Sequence, residues 1–218
     1  MFFESERTQK SYERLEAGYC PPSWKMKLFK SNEQNTFHYV TFVTFNRVPV
    51  FRSDRACEIL IATLDEVRQR YPYKLVGYVI MPDHVHAIVN RSIDTISAWL
   101  RRVRGNSARE ILSWLRTERH LMSPKKLQLA IPQKRNHTHA VWQKDPSVID
   151  LWSPKFVRQK LNYLHLNPVR AGLCQHPDEW KWSSYRAYLP HDIGDVPIEI
   201  NWQTHWREAE FVAKAGRQ

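Results

Sequence analysis

Two imidazoles one residue apart are the first chemistry this chain offers. His84 and His86 lie in Tyr78-Val79-Ile80-Met81-Pro82-Asp83-His84-Val85-His86-Ala87-Ile88-Val89. The stretch reads as two apolar runs broken by Met81-Pro82-Asp83, the pattern of a turn between strands. Successive strand side chains point to opposite faces, so both histidines share one face and Val85 takes the other. Two imidazoles side by side on a rigid strand are half of a divalent-metal site. They are equally compatible with a solvated or mutually hydrogen-bonded pair, and spacing alone does not choose.

A second group sits in Lys160-Leu161-Asn162-Tyr163-Leu164-His165-Leu166-Asn167-Pro168-Val169-Arg170-Ala171-Gly172-Leu173. Tyr163 and Asn167 are four apart, one above the other on a helix. Pro168 cannot donate to the carbonyl of Leu164, which predicts a kink or the last regular turn near Asn167, and Gly172 suits a C-terminal cap. A tyrosine in such a helix is either a core residue with one hydrogen bond or a nucleophile. His165 falls about 200° around the helix from Tyr163. It is expected at the surface or behind the site, not as the partner of the phenol.

The elements that must position these residues can be read from periodicity. Phe37 to Phe45 is β-branched and aromatic, a strand. Ser53 or Asp54 can cap a helix whose Ala56, Ile59, Leu60, Thr63, Leu64 and Val67 share a face, and Tyr71-Pro72 stops it. Strands over 73–81 and 84–90 flank the Pro82-Asp83 turn as an antiparallel hairpin. A second long helix is predicted over 94–117, a short fourth strand over 138–143, and a third helix opening at Ser153-Pro154. The order strand–helix–strand–strand–helix–strand plus a helix predicts an α+β, ferredoxin-like split βαβ fold. Its antiparallel sheet carries helices on one face, with the Tyr163 helix following. We place this domain at 36–190, with a polar N-terminal extension (1–35) and a C-terminal tail (191–218).

Composition narrows the partner. With 33 Lys and Arg against 22 Asp and Glu the chain carries a formal charge of +11, which favours a polyanion, nucleic acid first. Nine tryptophans and nine tyrosines interleave with these cations, a mixture suited to holding phosphates and stacking bases. Three scattered cysteines offer neither a disulfide framework nor a metal knuckle. No apolar run approaches the ~18–20 residues of a membrane span, and no secretory signal is read at the start, so the cytoplasm is expected.

Together these marks resemble the single-tyrosine HUH transposases, and more closely the REP-associated tyrosine transposases that act on repetitive extragenic palindromes. The resemblance runs from about Phe37 to Tyr188. It rests on Tyr39-Val40-Thr41-Phe42, Met81-Pro82-Asp83-His84-Val85-His86, Val141-Trp142-Gln143, the segment from Tyr163 to Leu173, and Trp180-Lys181-Trp182-Ser183-Ser184-Tyr185. One departure is Asp83, where the family commonly has Asn.

The resemblance implies that His84, His86 and Asn167 bind a divalent ion, Mg²⁺ or Mn²⁺, and that Tyr163 attacks the scissile phosphate to form a 5′-phosphotyrosine. The substrate it implies is single-stranded DNA beside a hairpin, handled by a monomer. Candidate DNA contacts are Arg101, Arg102, Arg104, Lys134, Arg135, Lys160 and Arg170, although the arginines of the second helix also read as a solvated face. Trp180 and Trp182 read as packing of the C-terminal segment. The alternative is a sequence-specific DNA-binding protein descended from such an enzyme that no longer cuts. A replication or conjugation relaxase fits less well. A phosphate-cradling ATPase loop and a His-Glu-x-x-His zinc helix are both missing from the sequence.

Overall fold

The computed structural model describes residues 37–91, 95–117, 139–189 and 196–200. Strand β1 (Phe37–Val43) leads to helix α1 (Asp54–Arg70), the hairpin β2 (Tyr73–Met81) and β3 (His84–Arg91), helix α2 (Ile96–Thr117), β4 (Ser147–Leu151), helix α3 (Pro154–His165) and the short α4 (Asn167–Arg170). The strands form one sheet in the order β2-β3-β1-β4, with antiparallel pairing throughout. β3 therefore sits between the two strands joined by α1, which is the split βαβ arrangement expected from the sequence.

The two sheet faces have different tasks. Phe42, Leu75, Tyr78, Ile80, Val85 and Val89 are buried on the face that receives α1 and α2. Tyr73 ties both helices to it, donating its hydroxyl to Leu64 O (2.9 Å) and meeting Trp99 edge-on at 5.4 Å. Each large side chain buried there contributes about 1.5–3 kcal/mol. α1 buries Ala56, Leu60, Ile61, Leu64 and Val67, the face predicted by its spacing. Ser53 occupies its N-cap position without a side-chain cap, and Asp54 instead accepts from Trp182 Nε1 at 2.9 Å.

The opposite face receives α3. Ser153 caps that helix, its hydroxyl accepting from Phe156 N at 3.2 Å, with Pro154 in the first turn. A register shift between Leu75 and Gly77 of β2 changes which residues face α3, and it places a glycine beneath the helix. A Cβ at Gly77 would collide with Leu161 Cδ1 and lie 3.3 Å from Ser184 Oγ. The missing side chain is what lets α3 sit close to the sheet. Of the two positions expected for it, at the surface or behind the site, His165 takes the second: it is buried and hydrogen-bonded through Nε2 to Ser184 Oγ at 2.9 Å. That serine also accepts from Tyr78 N at 2.9 Å.

The fourth strand differs from the one predicted. Residue 138 lies outside the described residues, and Trp142 makes only an isolated bridge to Thr44. The backbone of Val141 to Gln143 does run beside β1, through Phe45 N to Val141 O and Gln143 N to Val43 O (both 2.8 Å). Trp142 then turns its ring into the core against Phe42 and Phe51. True pairing with β1 falls to Ser147–Leu151. Asp150 interrupts the apolar alternation there, and it is matched across the pair by buried His38, Nδ1 to Oδ1 at 2.7 Å. The other edge of the sheet, β2, is covered by the C-terminal segment: Ile80 N donates to Trp182 O and Ser184 N to Tyr78 O, both at 2.9 Å. Ile198 and Ile200, within the stretch expected as a tail, are buried with the core.

Burial pushes the His165 imidazole down to about 3. Below pH ~6.5 the unfolded chain takes up a proton at this ring that the folded chain refuses, so stability falls as pH drops from 6.5 toward 3. Urea melts across that range should show a shallower decline for His165→Gln than for wild type. Parallel slopes would remove the imidazole from the acid sensitivity.

Candidate active site

The α3 face of the sheet carries the chemistry. The register pairs Thr41 of β1 with His86 of β3, and strand alternation puts Tyr39, Thr41, His84 and His86 on that face. His86 stacks on Tyr39 (centroids 5.3 Å, 25° between planes) and meets the His84 ring edge-on at 4.8 Å. Tyr163, in the last turn of α3, comes down over them, its ring 6.1 Å from that of His86 and 6.4 Å from that of Tyr39. Residues remote in sequence thus converge on one patch.

Both imidazoles are held by Nδ1. Asp83 Oδ1 lies 2.6 Å from His84 Nδ1, and Asp83 Oδ2 accepts from Arg47 at 2.9 Å. Burial works against the Asp83 carboxylate, but hydrogen bonds from His84 and Arg47 outweigh it and hold the group below the usual carboxylate range. An ionised carboxylate only accepts, so His84 Nδ1 is the donor and Nε2 is the ring nitrogen turned away from Asp83. Thr41 Oγ1 lies 2.7 Å from His86 Nδ1, a hydrogen bond that fixes the orientation of the ring. Burial, His84 and the Lys160 ammonium keep His86 well below the ordinary imidazole range, hence neutral.

The loop behind Asp83 is strained. Asn46 and Arg47 both have φ of 51°, a left-handed conformation costing about 1–3 kcal/mol per non-glycine residue. It is clamped on both sides. Thr44 N donates to Asp83 O (2.8 Å), Arg47 N to Thr44 O (3.0 Å), and the Thr44 hydroxyl reaches Val48 O and Asp83 O (2.7 and 2.9 Å). The strain therefore fixes the turn from which His84 projects. Asp83, Arg47, Thr41 and Tyr39 were not assigned site roles from the sequence. The departure at position 83 was the signal that could have found the first of them.

α3 ends at His165, and Asn167 begins α4 across the break predicted at Pro168. Asn167 Nδ2 donates to Tyr163 O at 2.9 Å, so its amide is tied to the turn bearing the tyrosine and Oδ1 is its remaining acceptor. Among the described residues no group of three or more His, Cys, Asp or Glu could hold an ion. An ion here would take two Nε2 atoms and complete its shell with an amide oxygen, water or substrate. Two imidazoles anchored by Nδ1 on one face of a strand are donors that fit a divalent cation.

Two cations flank the phenol. Lys160 Nζ lies 5.6 Å from the Tyr163 ring centroid and 5.4 Å from that of Tyr39, and Arg170 Cζ lies 5.0 Å from Tyr163. The arginines of α2 are not brought to this patch, because α2 covers the opposite face. Arg101 is exposed there, Arg102 stacks on Tyr71 at 3.7 Å, and the Arg104 guanidinium donates to the carbonyls of Gln143 and Lys144. Lys134 and Arg135 lie outside the described residues.

A model of the IS200-like transposase family matches residues 31–127, from before β1 through α2. The chain is similar to the IS200-like transposases. A Haemophilus influenzae protein provisionally named a REP-associated tyrosine transposase is 21% identical over 166 residues, 73% of this chain and 88% of that protein. The solved structure of a REP-associated tyrosine transposase bound to a REP hairpin has a TM-score of 0.55 at 14% identity, covering 83% of this chain and 92% of the other. At that identity it bears on the fold, and it bears out the antiparallel sheet with helices. A crystal structure from Deinococcus radiodurans R1, provisionally described as a transposase, has a TM-score of 0.42 at 21% identity and covers 63% of this chain and 95% of that one. The transposase family match includes both histidines and ends before Tyr163, so the tyrosine's place rests on the geometry of α3.

Long-range proton–nitrogen NMR should find His84 protonated at Nδ1 in the wild type. In Asp83→Ala that preference should be lost, with the proton shared between the two ring nitrogens. An unchanged tautomer would mean the carboxylate does not orient the ring.

Proposed function

We propose that this chain is a metal-dependent single-stranded DNA endonuclease and strand transferase. It acts as a monomer on hairpin-forming repetitive extragenic palindromes in the cytoplasm. The observation that carries the reading is the meeting of Tyr163, on α3, with His84 and His86, on β3, on one face of the sheet. The formal charge of +11 supplies the affinity for a polyanion, and the likeness to a transposase solved with a REP hairpin supports the choice of substrate.

His84, His86 and Asn167 would hold the divalent ion, Mg²⁺ or Mn²⁺. When bound it supplies Lewis-acid polarisation of the scissile phosphate and counter-charge for its oxygens. Tyr163 is the nucleophile. Its phenolic oxygen bonds to phosphorus as the proton leaves, the bond to the 3′ oxygen breaks, and that oxygen departs as a 3′-hydroxyl after taking a proton. The product is a 5′-phosphotyrosine, and attack by a 3′-hydroxyl reverses the step and rejoins strands without ATP. Lys160 and Arg170 stand where they can neutralise the phosphate. Arg47, Asp83 and Thr41 hold the imidazoles by Nδ1, which leaves Nε2 of each ring for the ion.

The test is a denaturing gel of protein and a labelled hairpin oligonucleotide with Mn²⁺ or Mg²⁺. Wild type should give a covalent adduct and a shortened strand, and Tyr163→Phe neither. Equal cleavage by the phenylalanine variant overturns the assignment. His84→Ala should lose at least a hundredfold in cleavage while binding the hairpin nearly as well, and an unaffected rate would remove that histidine from the site. Binding with no adduct from wild type would favour the non-cleaving DNA-binding reading.

A further inference from the structure

Trp152 follows β4 and precedes the cap of α3, and it exposes 57% of its surface. Large aromatic residues are buried on average, so one left this open calls for a reason. The other exposed large apolar side chains among the described residues are Tyr71 and Leu173. Tyr71 is covered by the Arg102 guanidinium, and Leu173 lies beyond the short helix α4. Trp152 is different because it continues the site. Its ring packs on Phe156 (centroids 4.6 Å), and Lys160 Nζ lies 5.6 Å from Phe156, 5.4 Å from Tyr39 and 5.6 Å from Tyr163. Aromatic rings and cations therefore alternate along one line, from Trp152 and Phe156 through Lys160 and Tyr163 to Arg170. Phe156 and Tyr163 are seven residues apart, two turns or about 10 Å along one helix face. That separation spans one or two nucleotides of an extended strand.

We propose that Trp152, braced by Phe156, is a stacking platform for a base of the single strand whose phosphate reaches Tyr163. The proposal rests on the single-stranded DNA reading above and assigns it a subsite away from the reacting atoms. Phe156 is almost fully buried and holds the indole in place, so little side-chain freedom is lost when a base stacks on the open ring. Lys160 lies between platform and nucleophile, where the intervening phosphates must pass. Stacking of this kind tolerates any base and needs no hydrogen-bond reading.

The experiment measures binding of full-length protein to a fluorescein-labelled oligothymidylate and to an abasic strand of equal length, which carries the same phosphates without bases. Trp152→Ala should weaken thymidylate binding by roughly 5- to 100-fold and leave the abasic strand unchanged. Trp152→Phe should retain most of the affinity, and Lys160→Ala should weaken both strands alike. Equal loss on both strands, or loss on neither, overturns the platform while leaving the nuclease reading in place. Failure of wild type to bind either strand overturns both. A self-association lost in Trp152→Ala with both strands bound normally marks the residue as a protein contact and also overturns the proposal.

Discussion

The close seating of α3 on the sheet is the constraint from which the candidate site follows. Gly77 removes the side chain that would hold the helix off, and the His165–Ser184–Tyr78 hydrogen bonds fix its height and rotation. The ring that binds the helix to the sheet and the ring that faces the histidines lie on different sides of the same two turns. A helix rotated to expose His165 would carry Tyr163 away from His86. Burying an uncharged imidazole thus helps to place a phenol, and neither could move alone without leaving a polar atom unpaired in the interior.

Much of this was legible in the chain. The two apolar runs around Met81-Pro82-Asp83 located β2 and β3, which are buried on both faces, and helical spacing and cap residues located α1 and the start of α3. β4 was misplaced for a local reason. Its apolar alternation is broken by Asp150, which pairs with His38 across the sheet, a contact no local pattern can show. His165 was left between the surface and a place behind the site for the same reason, since its partner lies in the C-terminal segment. The histidine pair and the tyrosine were visible, while their meeting depends on a sheet register and a glycine under a helix.

Charge is also divided between the faces. The arginines that drew attention by number sit on α2, where Arg102 and Arg104 are engaged in stacking on Tyr71 and in tying down residues 143–144. Among the described residues, Lys160 and Arg170 bear on the tyrosine, one on each side of it in sequence. Counting cations identified a polyanion-seeking chain, but it could not say which face would meet the polyanion. Around these two cations the described patch is aromatic, and an aromatic surface suits bases while isolated charges suit phosphates.

The covering of the β2 edge by residues 180–184 has a consequence in time as well as in space. The hairpin that carries the histidines is made early in synthesis, whereas the segment that occupies its open edge is made after α3. Until then β2 presents unpaired backbone groups, the kind of edge on which chains join one another. The interval between making the hairpin and closing its edge is therefore when a nascent chain is most exposed to mispairing with its neighbours on a polysome.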